Sequence, residues 1–305
     1  MTTIQTIVTH DGPFHADDVF AVAALAMTRE FRGVPVIRTR DKTEIANATI
    51  VVDVGFTYDP MHCRFDHHQS NGPKRADGTP YSAFGLVWKA YGKHAVQHGG
   101  GIAHESDAIE IARIIDEGLV RSIDLCDNGM IESRPYDIES LIGAMNALPA
   151  AAITENFDRA VEIAKTILAA QIARSAQVVT DRIIVECALA ARGAEDPVLE
   201  LPISCEHWRA PICAHNAAFP HAPILFVLQE RAGQWGATGV PPNPDSRAIL
   251  APFPSDLGGL SEDEFVARGL PDVIFVHRNL FFAISHTREA TMDLIAAALE
   301  QRPSS

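Results

Sequence analysis

The chain has 305 residues, 47% of them hydrophobic and 21% charged, a globular composition long enough for two domains. A formal net charge of −14 argues against broad electrostatic attraction to nucleic-acid backbone or anionic membrane, although divalent cations at a carboxylate-rich site would reverse the local field. The five cysteines are scattered without a CxxC pair, no signal-peptide pattern opens the chain, and no apolar run reaches the ~18 residues of a membrane span; the expectation is a cytoplasmic protein with no disulfide framework, no structural zinc and no membrane partner.

In chain order, Ile4–His10 reads as a short β-branched strand ending in a His-Asp-Gly turn, followed by a helix over Ala16–Phe31. Val34–Thr39 and Thr49–Val54 read as further strands, the second apolar enough for a sheet buried on both faces. This alternation predicts a parallel α/β sheet, whose ligands collect outside the carboxyl ends of the strands. Arg64–Gln69 follows a turn-rich stretch, Ser70–Pro80 reads as loop and Tyr81–Tyr91 as helix. The Gly99-Gly100-Gly101 triplet interrupts the pattern, and Ser106 is the expected N-cap of a long helix closing near Asn128-Gly129. The Ala/Pro-rich text around Asn146–Ala152 places a domain boundary at 148/149. Beyond it come a helix from Glu155 to Val179 and strands at Ile183–Cys187, Val198–Ile203, Pro223–Gln229 and Trp235–Val240. A hairpin of Val273–His277 with Leu280–Ser285 and a final helix over Thr287–Glu300 complete a second, smaller mixed α/β domain.

Four groups of residues carry chemistry. His10, His15 and Asp17-Asp18 straddle a strand end and a helix start, a metal-ligand arrangement whose plain competitor is helix capping. Asp53 follows the apolar Ile50-Val51-Val52; if buried it must be paired, hydrogen-bonded or metal-bound, and otherwise it is a solvated turn acid. Asp66-His67-His68 places three polar residues in a row, which packing alone rarely requires. Asp124 and Asp127 close a helix where acids oppose its dipole, a penalty that a cation would remove. Imidazole mixed with hard oxygen ligands favours manganese or magnesium, and two ions bridged by Asp53 could activate a water while clamping a phosphoryl group.

The order His…Asp17…Asp53…Asp66-His-His…Asp127 resembles the DHH phosphoesterase superfamily. The segments THDGPFHADD, RTRD, VVDVG, YDP, RFDHHQ and DNG, with the closing IFVHRNLFFAISHTREATMDLIAAAL, are similar over nearly the whole chain to its Myg-type branch, named for the melanocyte proliferating gene. The resemblance implies an N-terminal parallel-sheet DHH-like catalytic domain over 1–148 and a C-terminal substrate-binding domain over 149–305. It implies a dinuclear manganese or magnesium site on His10, His15, Asp17, Asp53, His67 and Asp127. His68 would act on the scissile phosphate or in proton transfer, and Asp66 would orient it. The superfamily's usual first motif is His-x3-Asp-x-Asp; here His15 stands in the first Asp position, one residue later, which makes the first coordination sphere softer.

Substrate contacts are expected from Arg38 and Arg40 near the strand ends and from His286 and Arg288 in His-Thr-Arg-Glu at a helix start, where anions also meet free backbone N–H groups. For Arg288 the competitor is a surface pair with Glu289 or Asp293, and for Arg38 and Arg40 it is solvated surface charge. The family implies 3′→5′ exonuclease action on RNA or short oligonucleotides, which nothing in the composition itself indicates. A small-molecule phosphatase or pyrophosphatase, or a metal-stabilised binding protein without turnover, are the rival readings; a homodimer is left open. A protein hydrolase has no HExxH motif or nucleophile elbow behind it.

Overall fold

A computed structural model of the chain describes residues 5–149, 153–193 and 195–301. It divides into two compact units, Met1–Ala176 and Gln177–Ser305. Ile4, which opens the expected first strand, and part of the Asn146–Ala152 stretch lie outside the described residues.

The first unit is built on a five-stranded sheet in the order β2-β1-β3-β5-β4, with β1 Ile7–Thr9, β2 Val36–Arg38, β3 Ile50–Val52, β4 Tyr58–Asp59 and β5 Arg64–Phe65. The pairings β1–β2, β1–β3 and β3–β5 are parallel. The two-residue β4 turns back on β5 in antiparallel register, so the sheet is not purely parallel: the Asp59-Pro60 corner makes a tight hairpin at the edge rather than another crossover. Every residue of β1 and β3 is buried, as expected of an apolar strand with helices on its faces.

Helix α1 (Ala16–Ala26) is buried along nearly its whole length and packs on α3 (Ala83–Gly99), Phe20 meeting Phe84 with ring centroids 5.4 Å apart. The short α2 (Lys42–Asn47) is capped by Asp41, whose carboxylate accepts the backbone N–H groups of Thr43 and Glu44. The long helix expected from Ser106 is three pieces: α4 (Glu105–Ile115) with His104 at its N-cap, a π-helical turn over Asp116–Val120, and α5 (Arg121–Asp127). Such turns insert one residue into the helical phase and recur at functional sites. Helix α6 (Ile138–Ala144) completes the set before α7 (Ile153–Ala191).

Helix α7 overturns one expectation and shifts another. Ile183–Cys187, read as a strand from its β-branched residues, is helical: Val179 and Val185 continue the buried positions Phe157, Ala160, Ala164, Leu168, Ile172 and Ser175, while Ile183 is exposed. The helical period of the buried face outweighs local β propensity. The division between units falls at 176/177, inside this helix and not at 148/149, because residues on both sides of position 148 pack on the first unit. Phe157 meets Phe14 edge-on at 5.7 Å, and Asn146 holds the backbone of Phe14.

The second unit carries the sheet β6-β7-β8-β10-β9, with β6 Val198–Leu201, β7 Phe226–Arg231, β8 Gln234–Gly239, β9 Val273–Val276 and β10 Phe282–Ser285. Only β6–β7 is parallel, which bears out its mixed character. Helices α8 (Arg209–Ala218) and α9 (Glu262–Ala267) were not expected from the sequence; α10 (Arg288–Glu300) begins on Thr287, whose hydroxyl accepts the Ala290 N–H. Among the described residues no helix is long and apolar enough to cross a membrane.

Candidate metal centre

Three parallel strands deliver their next residues to one place. His10 follows β1, Asp53 follows β3, and Asp66, His67 and His68 follow β5. The loop from His10 to His15 is clamped: Asn146 accepts the Phe14 N–H at 3.0 Å and donates to the Phe14 carbonyl at 2.7 Å, while Arg38 donates to the Gly12 carbonyl at 2.7 Å. That loop feeds the first turn of α1, so Asp17 and Asp18 enter the cluster fully buried. Asp127 arrives from the last turn of α5.

Asp53 stands at the middle. One carboxylate oxygen, Oδ2, lies 3.3 Å from His10 Nε2; the other, Oδ1, lies 3.3 Å from His67 Nε2. His67 Nε2 is also 3.3 Å from Asp127 Oδ2 and 3.8 Å from Asp17 Oδ2. Three sets have ligand atoms that all lie within 4.8 Å of one another: His10 with His15 and Asp53, Asp53 with His67 and His68, and His15 with Asp17 and Asp127. All six expected metal ligands are therefore brought together, and Asp53 belongs to two of the sets.

The hydrogen-bond pattern fits a cation. His10 donates through Nδ1 to the Asp11 carbonyl at 2.9 Å, which turns the Nε2 lone pair toward the carboxylates of Asp18 and Asp53. Asp17 Oδ1, Asp18 Oδ2, Asp53 Oδ1 and Asp127 Oδ2 are buried, and no hydrogen-bond donor satisfies any of them. Buried carboxylate oxygens facing one another and an imidazole lone pair are costly unless a positive charge lies between them. The titration behaviour says the same. Burial, reinforced by Asp53 and Asp127, pushes Asp17 well above the ordinary carboxylate range, and burial raises Asp18 to about 7. Burial also raises Asp127. Burial works against the charge on Asp53 as well, but the His10 and His67 rings beside it hold it down at about 2.

His68, whose Nδ1 lies 3.6 Å from Asp53 Oδ1, is half exposed on the wall of a cavity of about 380 Å³ that His10, His15, Arg40 and Asp53 also line. Its Nδ1 donates to Asp66 Oδ1 at 2.8 Å, and its backbone N–H reaches the same oxygen at 2.9 Å. Asp66 fixes the ring and leaves Nε2 available.

Several participants escape the sequence reading. Asp18, treated above only as part of a cluster, takes the His15 and Val19 N–H groups on Oδ1 and offers Oδ2 to His10. Glu139 lies close enough to Asp127 to feel its charge and is raised to about 7, mainly by burial. No motif marks it. Asp124, a ligand candidate from its spacing, is instead fully engaged elsewhere: Oδ1 accepts the Ser82 N–H and hydroxyl, and Oδ2 accepts Arg75, which also forks onto Asp116. It ties α5 to the N-terminus of α3, where the Ala83 N–H donates to Asp17 Oδ2 at 3.2 Å.

The expected substrate contacts divide. Arg40 lines the cavity and pairs with exposed Asp11 at 3.0 Å. Arg38 is packed over the rings of Phe157 and Phe14, at 4.6 and 5.5 Å, and does not line the cavity. In the second unit Arg288 grips Glu200 of β6 at 2.6 Å, and His286 precedes the N-cap of α10.

Comparison with known proteins places the chain in a family. Residues 6–299 match the family model MYG1_exonuc, described as "Uncharacterised protein family (UPF0160)". The chain belongs to this family. The MYG1 exonuclease of Homo sapiens is 30% identical over 321 residues, covering 96% of this chain and 85% of that one. The MYG1 protein of Chlamydia muridarum is 30% identical over 307 residues, covering 98% of each. Among solved structures, RecJ from Thermus thermophilus in complex with Mn2+ matches 99% of this chain and 53% of its own length. At 14% identity and a TM-score of 0.27, that likeness is too slight to build on.

Proposed function

We propose that the protein is a metal-dependent exonuclease that hydrolyses phosphodiester bonds of RNA or short oligonucleotides, with the first unit catalytic and the second engaging the chain of the substrate. The observation that carries this reading is Asp53, each of whose oxygens faces a different imidazole, while its Oδ1 and the buried oxygens of Asp17, Asp18 and Asp127 lack donors. The enzyme class, a metal-dependent hydrolase, has the support of the family and its MYG1 exonuclease members.

His10, His15, Asp17, Asp53, His67 and Asp127 would hold two divalent ions, manganese or magnesium by the mixture of imidazole and carboxylate. Such a pair supplies positive charge to phosphoryl oxygens and lowers the pKa of a water. The residues do the rest. Arg40, on the cavity wall, pairs with a phosphate oxygen by exchanging its exposed contact to Asp11. His68, with Nδ1 committed to Asp66, moves a proton at Nε2 to the oxygen that leaves phosphorus. Asp66 keeps that ring in one tautomer and orientation.

The test uses 5′-labelled single-stranded RNA with manganese, a small phosphoester in parallel, and the Asp53→Asn protein as control. Stepwise loss from the 3′ end that needs metal and disappears in the variant is the expected result. Phosphate release from the small ester alone would replace the nuclease with a phosphatase.

A further inference from the structure

The turn after β3 is built against the preferences of its residues. Asp53, Gly55 and Phe56 all have positive φ, at 54°, 96° and 56°. Asp tolerates that region and Gly favours it, but a bulky aromatic residue there is strained. The strained Phe56 is fixed in place, because its backbone N–H donates to Asp66 Oδ2 at 2.6 Å. Its ring is nonetheless 73% exposed and stands edge-on to His68, with centroids 6.1 Å apart. Strain held by a buried carboxylate, with the product being a ring in water beside the proposed active site, is the pattern of a functional position.

Phe56 also lines two cavities. One is the cavity of about 380 Å³ lined by His10, His15, Asp53 and His68. The other, of about 370 Å³, shares Arg40, Val54, Gly55 and Phe56 with it and continues between Ile45 and Val51 on one side and Lys42 at the rim. No carboxylate lines it. Arg64 borders it too, but its guanidinium is spent on backbone carbonyls of Ala48 and His62 at 3.1 and 3.0 Å. An apolar recess with an aromatic ledge at its mouth and cations at its edge suits a flat, uncharged ring attached to an anion.

We propose that Phe56 is the stacking platform for the nucleobase next to the scissile phosphate, which turns over it into the second cavity while Arg40 and Lys42 meet the adjoining phosphate. This rests on the nuclease reading above and names the part of the substrate that this face recognises. Stacking on an aromatic side chain accepts any base, so the platform gives affinity for a nucleotide without sequence preference.

The experiment is calorimetric binding of adenosine 5′-monophosphate and of ribose 5-phosphate, which lacks the base, to the manganese-loaded full chain. The wild-type protein should bind the nucleotide more tightly. Phe56→Ala should remove about 5- to 150-fold of that affinity, leave ribose 5-phosphate unchanged, and be rescued by Phe56→Tyr. Because the ring is exposed, the alanine protein should fold, as circular dichroism would verify. A wild-type protein with no preference for the nucleotide, or with no measurable binding of either compound, would overturn the proposal. So would a preference that survives in Phe56→Ala. Failure of the nuclease reading shows separately, as wild-type protein that leaves labelled RNA intact in the parallel assay.

Discussion

The carboxylate of Asp66 joins His68 to Phe56: Oδ1 accepts the His68 ring N–H at 2.8 Å, and Oδ2 accepts the Phe56 backbone N–H at 2.6 Å. One buried side chain thereby holds both the ring proposed to transfer the proton and the turn that carries Asp53. In Asp66→Asn the side chain keeps its size, but its charge is lost and one of its two acceptor positions becomes a donor. Outer partners of this kind are worth about 10- to 100-fold in activity. The expected result is a fall of at least that size in kcat on RNA, with the circular dichroism spectrum little changed. Unchanged kcat would remove Asp66 from the mechanism.

Gly85 shows how closely α3 approaches α5. A Cβ on it would sit 2.4 Å from Asp124 Oδ1, and Asp124 cannot withdraw because Ser82 and Arg75 hold it. Gly85→Ala should destabilise the protein by about 1–3 kcal/mol, as overpacking does. It should also weaken manganese binding, since Asp127 lies one turn beyond Asp124 on the same helix. Urea denaturation and a metal titration read the two effects; an alanine variant as stable as the parent would mean that α5 shifts freely.

Asp17 predicts opposite signs with and without metal. Its carboxylate is buried among Asp18, Asp53 and Asp127, with Oδ1 unsatisfied. Asp17→Asn replaces a carboxyl whose charged form burial and its neighbours already disfavour, so in chelator-treated protein the melting temperature should hold or rise by a few degrees, about what 1 kcal/mol gives a chain of this size. Added manganese should raise the melting temperature of the wild type and do far less for the variant. A variant that melts lower in chelator and still gains fully from manganese would contradict the assignment.

In the second unit, Asp181 on α7 accepts the backbone N–H groups of Glu206 and His207, the His207 ring and the Gln177 amide. Burial works to raise its pKa, but these bonds prevail and hold it below the usual 3.8. A depressed carboxylate contributes stability that is fully present above its unfolded value and lost as pH falls through its folded one. Asp181→Asn should therefore be less stable by about 1–3 kcal/mol near neutrality. The gap to the wild type should narrow as pH drops below the ordinary 3.8. Melting curves across that range check it; a gap independent of pH would assign the loss to geometry alone.

The cluster was legible in the motifs because its residues follow strand ends that the apolar runs mark: Val52 before Asp53 and Phe65 before Asp66. What supports them was not legible. Asn146 clamps Phe14 from a distance of 132 residues, and Glu139 joins the carboxylates from a helix with no motif. Asp124 and Asp127 look alike in sequence, and only the packing of Gly85 and Ser82 separates an anchor from a proposed ligand. In the fold, the β-branched residues of 183–187 suggested a strand, whereas the spacing of Ile172, Val179 and Val185 made the segment helix.

The proposed function has Asp53 shared between two cations. Anomalous diffraction from crystals soaked in manganese tests it most directly. Two peaks, both bonded to Asp53, with His10 on one side and His67 on the other, is the predicted result. A single peak, or peaks that leave Asp53 unbonded, would contradict it.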